Sequence, residues 1–184
     1  MTRAEFEDVE VLEGDEEEPE VGRHTDVGRM LLLTPVAEVM RRTAPVSLST
    51  EVTVGRAVET MTKKKVSAVM VVEARKPRRL VGIFTERDFL IRSGTVRGLS
   101  RLPLKKVMSR DPERLRPKDS VAYALQKMSV GRFRHVPVVD DQAVPVGMIT
   151  TRDLIDFLVE LCPEEILNLP PEPELALHPT PDGD

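Results

Sequence analysis

The fold is decided by a short segment that occurs twice in this 184-residue chain, GIFTERDFL at residues 82–90 and GMITTRDLI at residues 147–155. Each copy runs from a glycine through apolar residues to a Thr-x-x-Asp spacing, which starts at Thr85 and at Thr150. Threonine followed three residues later by an acidic side chain can cap the first turn of a helix. The segment therefore predicts a buried strand that leads directly into a helix, twice.

The repetition extends over the whole centre of the chain. Before residue 80 the two copies match at an offset of 67 residues, and after it they match at an offset of 65. The first offset pairs Pro45 with Pro112, Val54 with Val121, Ala57 with Ala124, Met61 with Met128, Val69 with Val136, Val71 with Val138 and Val72 with Val139. Matches in unbroken order, with the only length change where a loop is expected, indicate an internal repeat.

Each copy predicts the element order β-α-β-β-α, which makes this an α/β (α+β) fold. The predicted elements are an extended piece around Pro45 or Pro112, a helix with apolar spacing i, i+3, i+4, i+7 from Val54 or Val121, a strand at Ala68–Val72 or Val136–Val139, a strand at Leu80–Phe84 or Pro145–Ile149, and a helix that starts at Thr85 or Thr150. Thr53 and Ser120 are expected N-caps. One copy of roughly 55 residues buries little surface alone, so we expect two copies packed sheet to sheet.

The charges divide the chain further. Residues 1–30 hold 11 acidic and 3 basic side chains, residues 163–184 hold 6 acidic and no basic ones, and residues 31–162 carry a net charge of +10. We expect 1–30 to be a mostly disordered acidic tail, 31–96 the first repeat with a lead-in helix, 97–162 the second repeat, and 163–184 a proline-rich acidic tail with one helical turn near 164–167. A basic centre indicates an anionic ligand, nucleic acid or the tails themselves as binding partners.

Several classes of protein do not fit the sequence. No apolar run approaches the length of a membrane span, the acidic N-terminal residues have no apolar signal core, and Cys162 has no second cysteine to pair with. These features favour a cytoplasmic protein without membrane contact. Phosphate-binding glycine loops, the nucleophile elbow and metal-ligand spacings are lacking, so we do not expect an enzyme.

The repeated segments resemble the CBS domain family. The resemblance rests on residues 82–90 and 147–155, on Val39-Met40 and Val107-Met108, and on HVPVVD at residues 135–140. It implies a tandem pair folded as one disc-like unit with two clefts related by pseudo-two-fold symmetry. It also implies that AMP, ADP, ATP or S-adenosylmethionine binds as a regulatory ligand, with no tightly bound cofactor.

Two interpretations of the Thr-x-x-Asp spacing stay open. The first is a capping box without a ligand. In the second, the free N–H groups at the helix N-terminus and the threonine hydroxyl bind phosphate, and the aspartate accepts hydrogen bonds from the ribose hydroxyls. We expect Asp88 to recognise ribose in the first cleft, defined as the cleft next to residues 44–46. The second cleft, next to residues 111–113, has a less apolar base pocket because Glu113 replaces Val46.

Basic residues before the second buried strand are the remaining candidates. In the resembled family such residues reach phosphates, often in the cleft of the opposite repeat, and an arginine suits bidentate phosphate binding. Ser67 aligns with Arg134 and is a candidate for the first cleft. The full set expected to bind the ligand in the clefts is Ala44, Pro45, Val46, Ser67, Ala68, Thr85, Arg87, Asp88, Asp111, Pro112, Arg134, His135, Val136, Thr150, Arg152 and Asp153.

Three functions remain in competition. The first is a ligand-sensing homodimer that acts on an unidentified effector protein, because the sequence contains no effector domain. The second is a nucleic-acid-binding accessory protein, favoured by the basic centre and by Arg92, Arg97 and Arg101, but opposed by the shortage of aromatic stacking residues. The third is a ligand-free dimerisation module. Apolar residues on the second helix of each repeat favour the dimer, namely Phe89, Leu90, Leu154, Phe157 and Leu158.

Overall fold

The computed structural model describes residues 26–41, 44–163 and 166. Helices are α1 (Asp26–Leu33), α2 (Val36–Val39), α3 (Val54–Lys64), α4 (Glu86–Ser93), α5 (Val121–Gly131) and α6 (Thr151–Leu161). Strands are β1 (Ser47–Ser49), β2 (Ala68–Val72), β3 (Leu80–Thr85), β4 (Ser109–Arg110), β5 (His135–Val139) and β6 (Pro145–Thr150). Short 3-10 turns at Leu99–Arg101 and Leu104–Lys106 connect α4 to β4.

The first repeat is built on a four-stranded sheet in the order β1-β2-β3-β4. β1 runs parallel to β2, and β2 and β3 form an antiparallel hairpin in which Met70 pairs with Ile83. All five residues of β2 are buried, as expected for a strand covered on both faces. β4 pairs with β3 through Gly82 and Arg110, so the segment that precedes the second repeat completes the sheet of the first.

The second repeat has the same central hairpin. β5 and β6 pair antiparallel in the register of the first hairpin, with Pro137 opposite Met148. Here the extended piece after Pro112 makes a single parallel bridge, Leu115 to Val138, instead of a strand. Leu115 is nonetheless fully buried, and its amide donates to the Pro137 carbonyl at 2.9 Å.

The segments that lead into the two repeats are exchanged. Residues 36–40, the first lead-in, pack into the core of the second repeat, where Val36 is fully buried among residues of α5, β5, β6 and α6. Residues 104–108, the second lead-in, pack into the core of the first repeat through Leu104 and Val107. Backbone hydrogen bonds mirror this exchange, because the Val36 amide donates to Asp119 and the Leu104 amide donates to Val52, both at 2.8 Å.

A glycine lies where each lead-in crosses a strand of the other repeat. A Cβ on Gly147 would lie 2.4 Å from Sδ of Met40, and one on Gly82 would lie 2.5 Å from Sδ of Met108 and 2.9 Å from the Ser109 carbonyl oxygen. The glycines of the repeated segment therefore give the lead-in methionines room to lie against the sheet.

The two sheets meet in a small shared core. Met70 and Leu80 of the first repeat are buried with Val139 of the second, and the partly buried Met148 packs against them. The Leu80 amide also donates to the Ala143 carbonyl at 2.8 Å. The predicted α/β fold of two packed repeats is confirmed, as are the two central hairpins and the N-caps Thr53 and Ser120.

Some expectations need correction. Helix α1 begins at Asp26, so the last residues assigned to the acidic tail are helical, while residues 1–25 lie outside the described part. The predicted turn at 164–167 also falls mainly outside it. Leu154 is a core residue with 1% exposure, because α6 faces the second core with this position. Among the described residues, no helix has the length and apolarity to cross a bilayer.

Candidate functional site

Both Thr-x-x-Asp segments form complete capping boxes. At the start of α4, Oδ2 of Asp88 accepts from the Thr85 amide at 3.0 Å and from its hydroxyl at 2.8 Å, and the Asp88 amide donates back to the threonine oxygen at 3.1 Å. At the start of α6 the corresponding distances for Asp153 and Thr150 are 2.8, 2.6 and 3.2 Å. Each box fixes one carboxylate oxygen and presents the other, Oδ1, to further partners.

The partners of the two Oδ1 atoms differ. Oδ1 of Asp153 accepts from Nε of Arg41 at 3.1 Å. Oδ1 of Asp88 accepts from Nη1 of Arg92 at 2.9 Å and from the Ser109 hydroxyl at 3.3 Å. Arg92 follows Asp88 by one helical turn, whereas Arg41, the residue after the first lead-in, reaches Asp153 from 112 positions earlier in the chain.

The first cleft has a volume of about 430 Å³. Its floor is apolar, formed by the extended residues 44–46 and by Ala68, Met70 and Met148. Thr150 and Asp153 of the second repeat form one wall. Its cations are Arg41, Lys65, Arg134 and Arg152, against the carboxylates of Glu86 and Asp153. The cleft thus joins an apolar slot to an N-terminal helix end with an excess of positive charge, a combination suited to an anion carrying a flat apolar group.

The second cleft is smaller, about 280 Å³. The capping box of α4 lines it together with Ile83, Pro112, Glu113 and Phe133. Its three cations, Arg87, Arg132 and Arg134, equal in number the carboxylates of Glu86, Asp88 and Glu113. Glu113 is held by Nζ of Lys127 at 2.6 Å, and this hydrogen bond raises the pKa of that lysine.

The clefts share a wall. Ser67, Glu86, Arg134 and His135 line both. The Ser67 oxygen and Nε2 of His135 are 2.8 Å apart, and the direction of this hydrogen bond follows from the ring tautomer. Burial lowers the pKa of His135 and the Arg134 guanidinium lowers it further, while Glu86 and Asp153 oppose the shift. The uncharged form of the ring therefore predominates at neutral pH.

Most of the sequence-predicted residues line one of these clefts. The first cleft receives Ala44, Pro45, Val46, Ser67, Ala68, Arg134, His135, Thr150, Arg152 and Asp153. The second receives Ser67, Thr85, Arg87, Asp88, Pro112, Arg134 and His135. Two predicted positions line neither: the Asp111 side chain is 90% exposed, and Val136 is fully buried in the second core.

The expected position of Asp88 in the first cleft is wrong. Asp88 lines the second cleft with Pro112, and Asp153 lines the first cleft with Pro45. The cause is the exchange of the lead-in segments. Because residues 36–40 pack on the second repeat, the chain that follows them passes the start of α6 before it enters its own sheet.

Sequence reasoning missed several lining residues. Arg41 has no counterpart in the capping-box pattern, because only the fold brings it to a residue 112 positions away. Lys65 and Arg132 occupy equivalent left-handed positions at the ends of α3 and α5, with φ of 54° and 53°. Their offset of 67 residues was a signal that could have identified them as a pair. In the described part of the chain, no group of three or more histidine, cysteine and acidic residues is arranged to hold a metal ion.

Comparisons with known proteins agree with this architecture. The CBS domain family model matches residues 36–93 and 104–160. The CBS domain-containing protein CBSX3, mitochondrial, of Arabidopsis thaliana is 34% identical over 125 residues, which cover 66% of this chain and 60% of that protein. The aligned region thus spans less than two thirds of this relative.

Two solved structures are similar over nearly their whole length. The CBS domain protein PAE2072 from Pyrobaculum aerophilum, complexed with AMP, has a TM-score of 0.64 and 27% identity, and the match covers 71% of this chain and 99% of that one. The CBS-domain containing protein ATU1752 from Agrobacterium tumefaciens has a TM-score of 0.60 and 27% identity, with coverage of 68% and 93%. Two family matches in tandem, the crossed lead-ins and the two capped clefts together show that the chain belongs to the CBS domain family.

Proposed function

We propose that this CBS pair is a regulatory module that binds an adenosyl ligand in its clefts, and that its output is carried by a separate effector protein. The observation that carries the proposal is the pair of capping-box carboxylates, Asp88 and Asp153, at helix N-termini that open into the two clefts. No catalytic role is assigned to these carboxylates, because each serves its own cleft.

The chemistry of the first cleft fits a phosphorylated adenosine. Ribose hydroxyls can donate to Oδ1 of Asp153, and adenine can lie against Val46, Met70 and Met148. Phosphate is favoured by the positive end of α6 and by the cations around it. The AMP complex of the relative from Pyrobaculum aerophilum supports this choice of ligand. We propose AMP, ADP or ATP before S-adenosylmethionine here, and the first cleft before the second, because it is larger and its slot is apolar.

Calorimetric titration tests the proposal. Full-length protein is titrated with AMP, ATP, S-adenosylmethionine and a short oligonucleotide, then compared with Asp153→Asn. The variant is expected to weaken AMP binding by about 10- to 100-fold, because it loses a charged acceptor for the ribose hydroxyls. The matched control is Asp141→Asn, which alters a carboxylate that is 91% exposed and lines neither cleft. Absence of binding by every adenosyl ligand, or equal affinity of Asp153→Asn and wild type, would refute the proposal.

One observation keeps nucleic-acid binding as a second candidate. The loop between β2 and β3 exposes four cations, Arg75, Lys76, Arg78 and Arg79, and none has a carboxylate within 4.0 Å among the described residues. Exposed clusters of this kind bind phosphate backbones with strong salt dependence. Oligonucleotide binding that is lost on Arg78→Glu combined with Arg79→Glu, while AMP binding is unchanged, would establish this second function.

A further inference from the structure

The capping-box aspartates of the two clefts are paired with arginines from different parts of the chain. In the second cleft the cation is Arg92, which lies on the same helix as Asp88 and also donates to the Asp88 backbone carbonyl at 3.2 Å. Arg92 does not line that cleft. In the first cleft the cation is Arg41, which does line the cleft and lies 112 residues before Asp153 in the sequence.

The Arg41–Asp153 pair is asymmetric in exposure. The arginine side chain is 61% exposed, whereas the aspartate side chain is 3% exposed. A buried carboxylate that loses its cation is left with a large desolvation penalty, so Arg41 compensates charge at this site. Solvent can receive the exposed guanidinium, so the cost of separating the pair falls on the buried carboxylate unless a ligand donor takes the place of Arg41.

A ligand that uses Asp153 must share or displace the Arg41 contact. Oδ2 is occupied by the Thr150 amide and hydroxyl, so ribose hydroxyls have to bind at Oδ1, where Arg41 already donates. An uncharged nucleoside has no anionic group with which the displaced guanidinium can pair. A phosphorylated nucleoside brings an anion into the same cleft, with which Arg41 can pair through charge-assisted hydrogen bonds.

From this geometry we infer that Arg41 makes the first cleft selective for phosphorylated adenosyl ligands over uncharged ones. In the second cleft the equivalent position is held by the uncharged Ser109, whose hydroxyl donates to Oδ1 of Asp88 at 3.3 Å. The inference rests on the proposed function, because it concerns the same ribose carboxylate. The other charged groups facing the cleft are Lys65, Arg134, Arg152 and Glu86, with His135 uncharged. The remaining cations favour phosphate whether or not Arg41 is present, so the test has to isolate Arg41.

The experiment compares AMP with adenosine on full-length protein by calorimetry, for the binding event that Asp153→Asn weakens. Wild type is expected to prefer AMP. Arg41→Gln is expected to lower the ratio of AMP to adenosine affinity by about 5- to 20-fold, mainly through weaker AMP binding, since a charged hydrogen bond at a partly exposed position is lost. Arg41→Lys retains the charge and is expected to keep the ratio within about threefold of wild type.

Arg92→Gln is the matched control, because it removes the cation that pairs with Asp88 without lining the second cleft, and it is expected to leave the ratio unchanged. An unchanged ratio in Arg41→Gln would overturn the inference, and so would an equal fall in Arg92→Gln or a fall in Arg41→Lys as large as that in Arg41→Gln. In each of these cases both ligands still bind and the proposed function stands. Failure of wild type to bind either ligand would overturn both.

Discussion

The Ser67 oxygen and Nε2 of His135 lie 2.8 Å apart, and the two residues come from different repeats. Both also line both clefts, so a single hydrogen bond forms part of the wall between the two candidate sites. When the Ser67 hydroxyl donates, Nε2 of His135 must accept, and it can do so only if the imidazole is uncharged. The protonation state of His135 is therefore the property of this wall that an experiment can change most directly.

We predict that the free energy of unfolding falls as the pH drops through the region below the ordinary histidine pKa. Because burial lowers the pKa of His135 in the folded state, the unfolded chain binds the proton first. This contribution to stability is fully present above a pH of about 6.5 and is lost as the pH falls toward the lowered pKa of the folded protein. Urea unfolding of wild type and His135→Gln at several pH values between 7.5 and 5.5 measures it.

Subtracting the free energy of unfolding of His135→Gln from that of wild type at each pH removes the contributions of the carboxylates and of the other two histidines, which are common to both proteins. The difference between wild type and His135→Gln should shrink on acidification. A difference that is constant with pH, or one that grows, would contradict the assignment of the slope to His135.

A second prediction concerns the two crossing glycines. Gly82→Ala is expected to destabilise the protein by about 1–3 kcal/mol, because its Cβ meets Cγ of Met108 and a backbone carbonyl oxygen at 2.9 Å. Gly147→Ala is expected to cost less than about 1.5 kcal/mol, since the closest atoms are the flexible end of Met40. Chemical denaturation of both variants measures which of them loses more stability.

Gly94→Ala is the control for these glycine variants. The Cβ at Gly94 meets nothing within 4 Å, and its φ of −79° suits any residue. Stability should be unchanged or rise by about 0.4–1 kcal/mol. If Gly147→Ala proves costlier than Gly82→Ala, the methionine contacts do not govern these positions.

A third prediction concerns Asp88. Asp88→Ala should weaken binding in the second cleft by about 1.5–3 kcal/mol, because it removes a charged acceptor for ribose. It should leave the first cleft unaffected. The lost cap should separately lower stability without ligand by about 1 kcal/mol. Titration with AMP at concentrations that fill both clefts, together with thermal melting, separates the two effects; unchanged binding in both clefts would leave only the capping role.

A fourth prediction is a homodimer formed through α4 and α6. Leu90 and Ile155 occupy equivalent positions on these helices and are 73% and 53% exposed. Exposed apolar side chains at matched positions suit a symmetric interface. Leu90→Asp is expected to shift the protein toward monomer in light scattering at tens of micromolar. Val130→Asp, which changes a residue on α5 that is 80% exposed, is the control and should leave the mass unchanged. A wild-type monomer at this concentration would count against the dimer.

A fifth prediction concerns the acidic ends of the chain. Removing residues 1–25 and 167–184 takes away 14 acidic and 2 basic side chains and leaves α1 intact. A tethered polyanion has a millimolar effective concentration and competes with phosphate for the first cleft. Truncation should therefore tighten AMP binding by no more than about 1.5 kcal/mol, with a smaller gain at higher salt. Equal affinity at every salt concentration, with lower solubility alone, would mean that these segments only keep a basic domain soluble.

The sequence predicted the elements well because each is encoded locally. The periodicity of α3 and α5, the apolar runs of β2 and β5 and the capping residues at Thr85 and Thr150 all act within a few residues. The site was less predictable, because its composition depends on which repeat each lead-in joins. Nothing in residues 36–40 specifies locally that Val36 is buried in the second repeat.

The same limit explains the error over Asp88 and the omission of Arg41. Alignment of the repeats identifies equivalent residues, but it does not say which equivalent residues share a cleft. Asp111 lines neither cleft for another reason, since its backbone has a φ of 42° and its side chain is exposed. Aligning Asp111 with Ala44, its equivalent in the first repeat, does not predict this positive φ.

Because the lead-ins are exchanged, the order of synthesis determines the order in which segments of the chain can dock. Arg41 leaves the ribosome 112 residues before Asp153, its partner. At about 5–20 residues per second this interval is roughly 6–22 s. During that period the apolar side chains of Val36, Val39 and Met40 have no core to enter, while the first repeat receives its own covering residues as soon as Leu104 and Val107 are made. Residues 36–40 are thus among the last parts to dock, and the first cleft is complete only when the second repeat has been synthesised.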